Sequence, residues 1–130
     1  MKKHKIVMRV MKEDVGYSAY ANAGNDFIGT QGDTFEELKA MIVEAVNLSF
    51  EDRGLVYTID EIELKYDLES FFEFYKIINA KALSERIGMN QSLLAQYIKG
   101  IKKPSAVQTR RILKGVREVG KELAEIEFSI

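Results

Sequence analysis

The chain has 130 residues, of which 46% are hydrophobic and 30% charged, a composition typical of a folded soluble protein. It has no cysteine, which excludes a disulfide scaffold, a thiolate metal site and a cysteine nucleophile. Its single histidine, His4, argues against a histidine-built metal site or catalytic triad, so neither a metal nor a cofactor is predicted.

Charge is distributed unevenly along the chain. Residues 1–75 carry 8 basic and 15 acidic residues, a net charge of −7, whereas residues 76–122 carry 11 basic and 3 acidic residues, a net charge of +8. This division favours two partners of different chemistry, one of them a polyanion. Segregation by chance on two solvated surfaces is the alternative, and charge alone does not decide between them.

Neither a membrane span nor an export signal is predicted. No run of about 18 apolar residues occurs, as a membrane-spanning helix requires. Near the start of the chain, Arg9 interrupts the apolar stretch that a signal peptide would need. We therefore expect a cytoplasmic protein with no membrane partner.

Three short strands are predicted first in the chain. Residues 5–12 and 15–21 are rich in Val, Ile, Tyr and Met, and the short polar segment between them suits a hairpin. A third strand is expected at Phe27–Thr30, after the turn-prone residues 22–26. Three adjacent short strands favour an antiparallel meander.

A helix and a fourth strand follow. Thr34 and Glu37 fit a capping box, and apolar residues at three- and four-residue steps predict a helix from 34 to about 50. Alternating apolar residues then predict a half-buried strand that carries Ile62, Leu64, Tyr66 and Leu68. The fold class is therefore α+β, beginning with a β-β-β-α-β domain over residues 1–68.

Residues 69–130 predict a second, all-α domain with a short C-terminal tail. Ser70 and Glu73 fit a capping box at the start of an aromatic-rich helix. Asn79 and Asn90 are predicted to cap two short helices that end at glycines, and Ser105 with Gln108 opens a long helix that reaches about Leu123. Its core-facing positions are Ile112, Val116, Val119 and Leu123, and the tail EIEFSI alternates as an edge strand would.

The two short helices match the spacing of a helix-turn-helix. Small Ser84 lets the helices cross closely, and Gly88 tolerates a left-handed turn between them. Apolar residues are expected to fill the wedge between the helices: Leu83, Ile87, Met89, Leu94 and Tyr97.

The segment ALSERIGMNQSLLAQYIKGIKKPS resembles the phage-repressor-like, or Xre, helix-turn-helix domains. In that family, residues at the start of the second helix read base edges, which implies this role for Gln91 and Ser92, with Gln96 one turn further on the same exposed face. Glutamine can pair with both N6 and N7 of adenine in the major groove. The alternative is that all three are ordinary exposed polar residues.

Phosphate contacts are expected around that helix. On the long helix, the resemblance brings only the first turns near DNA, so Arg110 is included while Lys114, Arg117 and Lys121 are expected to be solvated. The expected phosphate-binding residues are Asn79, Lys81, Lys99, Lys102, Lys103 and Arg110.

The first domain resembles the HicB antitoxins, whose fold is a reduced ribonuclease-H-like sheet. The resemblance lies in GYSAYA followed by FIGTQGDTFEELKAMIVEAV, with the helix-turn-helix after it in the order known for the family. This chain has ANAGND where many members have a Pro- and Gly-rich segment. Toxin contacts from that loop therefore do not transfer, and no toxin-binding residue is predicted.

The resemblance implies an antitoxin that neutralises a HicA-type ribonuclease toxin and represses its own operon as a homodimer or larger oligomer. An acidic domain can attract a basic toxin, which agrees with the charge distribution. The alternative is a repressor whose first domain senses a small ligand; an RNA-binding role is a third reading. An enzyme is not predicted, because the candidate carboxylates lie in predicted turns: Asp14, Asp26, Asp33 and Asp60.

Overall fold

The computed structural model describes residues 3–130, and the chain divides into two compact units after Phe74. A four-stranded sheet is followed by helices, which agrees with the expected α+β class. The strands are β1 (Ile6–Lys12), β2 (Tyr17–Ala23), β3 (Asp26–Gly32) and β4 (Ile62–Tyr66). The helices are α1 (Phe35–Ser49), α2 (Leu68–Phe74), α3 (Ala80–Ile87), α4 (Gln91–Ile98) and α5 (Ala106–Ala124).

The sheet has the strand order β3-β2-β1-β4. β1 and β2 are antiparallel, as are β2 and β3, so the predicted meander is confirmed. β4 joins the other edge of β1 in parallel, with Ile62 opposite Ile6, and α1 makes the crossover that a parallel pair requires. β3 is longer than predicted, because the turn before it is confined to Gly24 and Asn25.

The core of the first unit lies between α1 and one face of the sheet. Alternate residues of β1 are buried, and Leu38, Ile42 and Val46 of α1 are completely buried in the same cluster. β3 ends close to α1 at Gly32, where a Cβ atom would lie 2.7 Å from the backbone nitrogen of Leu38. Glycine is therefore required for the helix to start this close to the sheet.

The fourth strand is shorter than predicted. Ile59–Glu61 forms a 3-10 turn, in which the Glu61 carboxylate accepts the backbone N–H of Thr58 at 3.0 Å. The strand begins only after this turn. It ends at Tyr66, so Leu68 is the first residue of α2 and not the last alternating residue of the strand.

The predicted capping box at Ser70 and Glu73 is wrong. α2 begins three residues earlier, because the Oδ1 atom of Asp67 accepts the N–H of Ser70 at 2.8 Å and caps the helix. Ser70 is completely buried, and its Oγ atom has no hydrogen-bond partner among the residues described.

The aromatic residues of α2 belong to the first unit. The Phe74 ring stacks on Phe35, with centroids 4.0 Å apart, and lies 4.5 Å from the Tyr17 ring. These contacts tie α2 to the start of α1 and to β2. The compact unit therefore extends to Phe74, whereas the sequence placed the boundary after Leu68.

Four helices, α1, α3, α4 and α5, begin at side-chain caps where predicted, although two reciprocal capping boxes are only half formed. The Oδ1 atoms of Asn79 and Asn90 accept N–H groups of α3 and α4, and Ser105 accepts the N–H of Gln108. The Gln108 side chain, however, accepts from Arg111, at 3.4 Å. In α1, Thr34 accepts the N–H of Glu37 as predicted, while the Glu37 carboxylate bonds the N–H of Asp33.

The second unit packs α3, α4 and α5 around a small core. Leu83, Met89, Leu94 and Tyr97 of the predicted wedge are buried and Ile87 is half-buried, together with completely buried Ile112 of α5. Ser84 is also buried, and its hydroxyl donates to the Lys81 carbonyl at 2.6 Å.

Two expectations for the end of the chain are wrong. Leu123 is 54% exposed and is not part of the core, because α5 has 19 residues and extends past the eight-residue α3. The tail after Ala124 forms no strand, since no other strand of the described chain pairs with it.

Candidate nucleic-acid interface

The turn between α3 and α4 contains three residues. Gly88 has φ 68°, in the left-handed region, and its N–H bonds the Glu85 carbonyl at 3.2 Å. Met89 then points into the core, and its N–H bonds the Ser84 carbonyl at 2.9 Å. α4 therefore starts at Gln91, immediately after its Asn90 cap.

α4 buries one face and exposes the first residues of the other. Leu94 and Tyr97 are buried, whereas Gln91 and Ser92 are exposed. Gln96 is only half-buried. At about 100° per residue, it lies about 40° from Ser92 around the helix but about 140° from Gln91, so it shares a face with Ser92 only. The prediction that all three residues lie on one exposed face is therefore wrong.

Exposed cations lie beyond the other end of α4. Lys99 follows its last residue, and Lys102 and Lys103 lie in the loop before α5. An eight-residue helix is about 12 Å long, so the basic loop lies about one helix length from Gln91. That length is comparable with the width of the major groove, about 12 Å.

Two further cations are placed on the neighbouring helices. Lys81 is exposed in the first turn of α3, and Arg110 is exposed in the second turn of α5. Within residues 3–130, no carboxylate oxygen lies within 4 Å of the five predicted phosphate-binding cations. All five can therefore meet an external anion without first breaking an ion pair.

Asn79 is already used as a cap. Its Oδ1 atom accepts the N–H of Ala82 at 2.9 Å, which leaves the side-chain nitrogen as the group to meet a phosphate. The cap fixes the start of α3.

Arg111 is a structural residue that the sequence interpretation missed. One guanidinium nitrogen, Nη2, donates to the carbonyls of both Ile87 and Gly88 at 2.8 Å. These carbonyls end α3, where the helix leaves acceptors unsatisfied. Arg111 therefore connects α5 to the turn that positions α4. The spacing of the basic residues gave no signal for it, because Arg111 lies off the stripe that begins at Arg110.

Gly115 was also missed. It is buried in α5, and a Cβ atom there would lie 2.4 Å from Cγ2 of Ile87. α3 and α5 therefore cross at a distance that only glycine allows. A glycine within an otherwise regular helix pattern was the available signal.

The first unit presents an acidic concave surface beside the β1–β2 turn. Its volume is about 830 Å³, and it is lined by four carboxylates together with Tyr17, Met41 and the 84% exposed Val15. The carboxylates belong to Glu13, Asp14, Asp33 and Glu37.

Several other acidic residues of this unit are paired with cations. The Lys3 ammonium, 2.6 Å from Glu61, lowers the pKa of that carboxyl, and Lys5 lies 3.3 Å from Glu63. Asp26 bonds Arg53 at 3.0 Å. In the part of the chain that the structure describes, no three His, Asp or Glu side chains are grouped so that they could hold a metal ion.

The chain matches no protein-family model, no curated protein and no solved structure. Among the helices of residues 3–130, none combines the length and the apolar character needed to cross a bilayer. The exposed start of α4, the cations around it and the acidic concave surface are therefore the features from which function is inferred.

Proposed function

We propose that the chain is a cytoplasmic HicB-type antitoxin that neutralises a small basic ribonuclease toxin of the HicA type and represses its own operon. The observation that carries the proposal is the start of α4. There a capped helix exposes Gln91 and Ser92 next to a turn, with unpaired cations on the elements around it. The acidic first unit supports the other part of the proposal, which is the binding of a basic toxin.

In the proposed DNA complex, α3 and α4 act as a phage-repressor-like helix-turn-helix, and the first turn of α4 enters the major groove. The Gln91 amide both donates and accepts, so it can pair with N7 and N6 of adenine. Ser92 and Gln96 would read a neighbouring base, since they share one side of the helix.

The phosphate backbone would be held from both ends of α4. Lys99, Lys102 and Lys103 would meet one strand, while Lys81, the Asn79 amide and Arg110 would meet phosphates from α3 and α5. These contacts carry no sequence information but set the orientation of α4. The second unit has 11 basic and 5 acidic residues from position 75 to 130, a charge of +6 that favours a polyanion.

The first unit is proposed as the toxin-binding domain. Its β-β-β-α-β order, with β4 parallel to β1, supports the reduced ribonuclease-H-like fold of the HicB resemblance. The acidic concave surface supports a basic partner, because its carboxylates would attract the cationic surface with which a ribonuclease binds RNA.

A second candidate function is a repressor that senses a small ligand. The same concave surface favours it, and its four carboxylates would select a cationic ligand. A small cation that changes the operator affinity of the purified protein in the absence of any toxin would support this candidate over the antitoxin.

The DNA proposal is tested with the region upstream of the chain's own coding sequence. Gln91→Ala is expected to lose about 1–3 kcal/mol of binding free energy and to relax specificity at one base pair, because a bidentate contact is lost. Lys102→Ala is expected to weaken binding to all sequences and to reduce the slope of log K against log salt by about 1. Fluorescence anisotropy over a salt series measures both effects.

Lys65→Ala in the first unit is the control, since Lys65 is also exposed and far from α4 in the chain. It should leave affinity and salt slope unchanged. Equal behaviour of Gln91→Ala and Lys102→Ala would show that α4 does not read bases.

The toxin proposal predicts that a small basic protein is encoded beside this chain, and co-expression of the two tests it. The neighbour alone should stop growth, and the pair should grow and co-purify. If the neighbour is harmless alone, or if no complex forms, the antitoxin function is excluded and the DNA-binding role stands by itself.

A further inference from the structure

α1 packs on only one face of the sheet. Alternate residues of each strand point to the other face, while the residues between them include the buried core. Among the strand residues that the structure describes, none on this second face is buried. Its central part, which we call the open face, consists of Arg9, Tyr20, Asn22, Phe27, Gly29 and Lys65.

The strand pairing aligns most of the open face in one row. Tyr20 lies opposite Gly29 on one side and opposite Arg9 on the other. Arg9 in turn lies opposite Lys65 of β4. Because neighbouring strands are about 4.8 Å apart, the row spans about 14 Å. Phe27 lies two residues before Gly29 on β3, so aromatic residues occupy one side of the open face and cations the other.

The two aromatic rings form a flat platform. The ring centroids of Tyr20 and Phe27 are 6.2 Å apart, and the ring planes differ by 20°. Phe27 is 69% exposed, but a Cβ atom at Gly29 would lie 2.9 Å from its Cε1 atom. The Phe27 ring therefore lies against the strand backbone in the space that a side chain at Gly29 would fill. Exposed rings held in this way can stack on a planar group.

The two cations of the open face repel each other. Arg9 and Lys65 are exposed and directly opposite, an arrangement that is destabilising for like charges. Within residues 3–130, no carboxylate oxygen lies within 4 Å of either cation. Glu63, the acidic residue of β4 on the same face, lies 3.3 Å from Lys5. An external anion between Arg9 and Lys65 would remove the repulsion.

We propose that the open face binds single-stranded RNA, with bases stacked on Phe27 and Tyr20 and a phosphate between Arg9 and Lys65. Aromatic residues on an open sheet stack RNA bases in this way in known RNA-binding domains. The strand must be unpaired, because a duplex hides the faces of its bases. Asn22 lies directly opposite Phe27, where its side-chain amide can bond the ribose 2′-hydroxyl that distinguishes RNA from DNA.

The open face suits the proposed basic toxin poorly, because Arg9 and Lys65 would repel it. The acidic concave surface includes Ser18, whose hydroxyl donates to Glu13 at 2.6 Å. The RNA-binding surface therefore ends before Ser18. The RNA proposal does not rest on the antitoxin or repressor function, and its failure would leave both of them untouched.

The first experiment places a fluorophore on the open face of the full chain, which has no tryptophan. Phe27→Trp keeps an aromatic ring against Gly29, and a base that stacks on the indole quenches its fluorescence. A short single-stranded RNA is expected to quench this variant, whereas the same RNA annealed to its complement is expected not to. The indole responds only to binding at the open face, so RNA held by the cations around α4 does not contribute.

Val15→Trp is the matched control. Val15 is 84% exposed in the same unit but lies on the acidic concave surface, so its indole should not be quenched. Absence of quenching of Phe27→Trp by single-stranded RNA, or equal quenching by the duplex, overturns the proposal. If RNA does not quench but the emission shifts to the blue when a co-expressed protein binds, the open face is a protein interface and the proposal is also overturned.

Second substitutions in the Phe27→Trp chain test the neighbouring residues. Tyr20→Ala is expected to raise the dissociation constant of the RNA about 5- to 150-fold, because one stacked base is lost. Lys65→Gln is expected to reduce the slope of log K against log salt by about 0.7, because one phosphate contact to a single strand is lost. Lys39→Gln is the control, since Lys39 lies on α1, which packs on the other face of the sheet.

Lys65→Gln also separates binding from stability. Because it relieves the repulsion of Arg9, it is expected to raise the urea midpoint slightly while it weakens RNA binding. A substitution that only damages the fold would lower both. Tyr20 is half-buried, so the exposed Lys65 decides the outcome if Tyr20→Ala loses structure. Unchanged RNA affinity and salt slope in a folded Lys65→Gln chain would overturn the phosphate contact.

The choice of RNA over DNA is tested at Asn22. Single-stranded DNA of the same sequence is expected to bind the Phe27→Trp chain about two- to tenfold more weakly, because the hydrogen bond of the 2′-hydroxyl is lost. Asn22→Ala should remove this difference. Equal affinity of RNA and DNA for the chain that retains Asn22 would overturn the choice of RNA.

Discussion

The two units differ in how much apolar surface they bury. Among the residues described, 15 of the 20 buried hydrophobic side chains lie in the first unit and five in the second. The first unit surrounds its core with a sheet and α1, whereas the second relies on caps, the Arg111 contacts and one close helix crossing. A unit with a small core has a small free energy of unfolding. The second unit is therefore the more sensitive of the two to single substitutions.

This contrast is tested most strongly by truncating one buried isoleucine in each unit. Ile42→Ala and Ile112→Ala should each cost about 2–5 kcal/mol, because both side chains are almost completely buried. We expect Ile112→Ala to unfold the second unit at 25 °C while Ile42→Ala leaves the first unit folded. Two-dimensional NMR of the full chain would show which amide signals lose dispersion. Loss of all dispersion in both variants would mean that the units do not differ in this way.

Two glycines of α5 provide a matched pair within the second unit. Alanine gains about 1 kcal/mol over glycine in a helix interior. At Gly120 nothing lies within 4 Å of a new Cβ, so Gly120→Ala should raise the free energy of unfolding by that amount. At Gly115 the Cβ would collide with the stiff, β-branched Ile87. Gly115→Ala should therefore lower the free energy of unfolding by about 1–3 kcal/mol. Urea denaturation measures both, and effects of the same sign would contradict the close crossing.

The smallest effect is expected in the first unit at high pH. The hydrogen bond to Glu73 raises the pKa of Lys12, and burial, followed by the effect of Glu73, raises the pKa of Tyr17. Both folded-state pKa values lie above the unfolded values, so this stabilisation is complete below about pH 10 and is lost as the pH rises further. Urea midpoints between pH 8 and 11 should therefore fall, and less steeply in Glu73→Gln. Glu63→Gln is the control, because it removes a carboxylate and the ion pair with Lys5 but leaves Glu73 unchanged.

The sequence predicted which helices and strands occur more accurately than the residues at which they begin and end. Residue composition, turn signals, apolar periodicity and capping residues together predicted all four strands and all five helices of the described chain. The caps at Asn79, Asn90 and Ser105 are confirmed, because capping depends on residues close in sequence. The start of α2 was missed, because the sequence analysis considered only Ser70 as its cap, whereas Asp67 accepts the N–H of Ser70.

For the candidate interface, exposure could be predicted for Gln91 and Ser92, which lie immediately after a cap. It could not be predicted for Gln96, because burial there depends on how α4 packs on its neighbours. Arg111 and Gly115 contact residues about 25 positions away in the sequence, and although the glycine itself was a local signal, no local pattern identifies the distant partner.

The Arg111 contacts also impose an order on the folding of the chain during its synthesis. The two carbonyls at the end of α3 gain their guanidinium partner only after residue 111 has been synthesised and α5 has begun to form. Most of the chain, including the whole acidic unit, has been made by then. A nascent chain would therefore be able to fold its first unit well before it fixes the turn on which α4 depends.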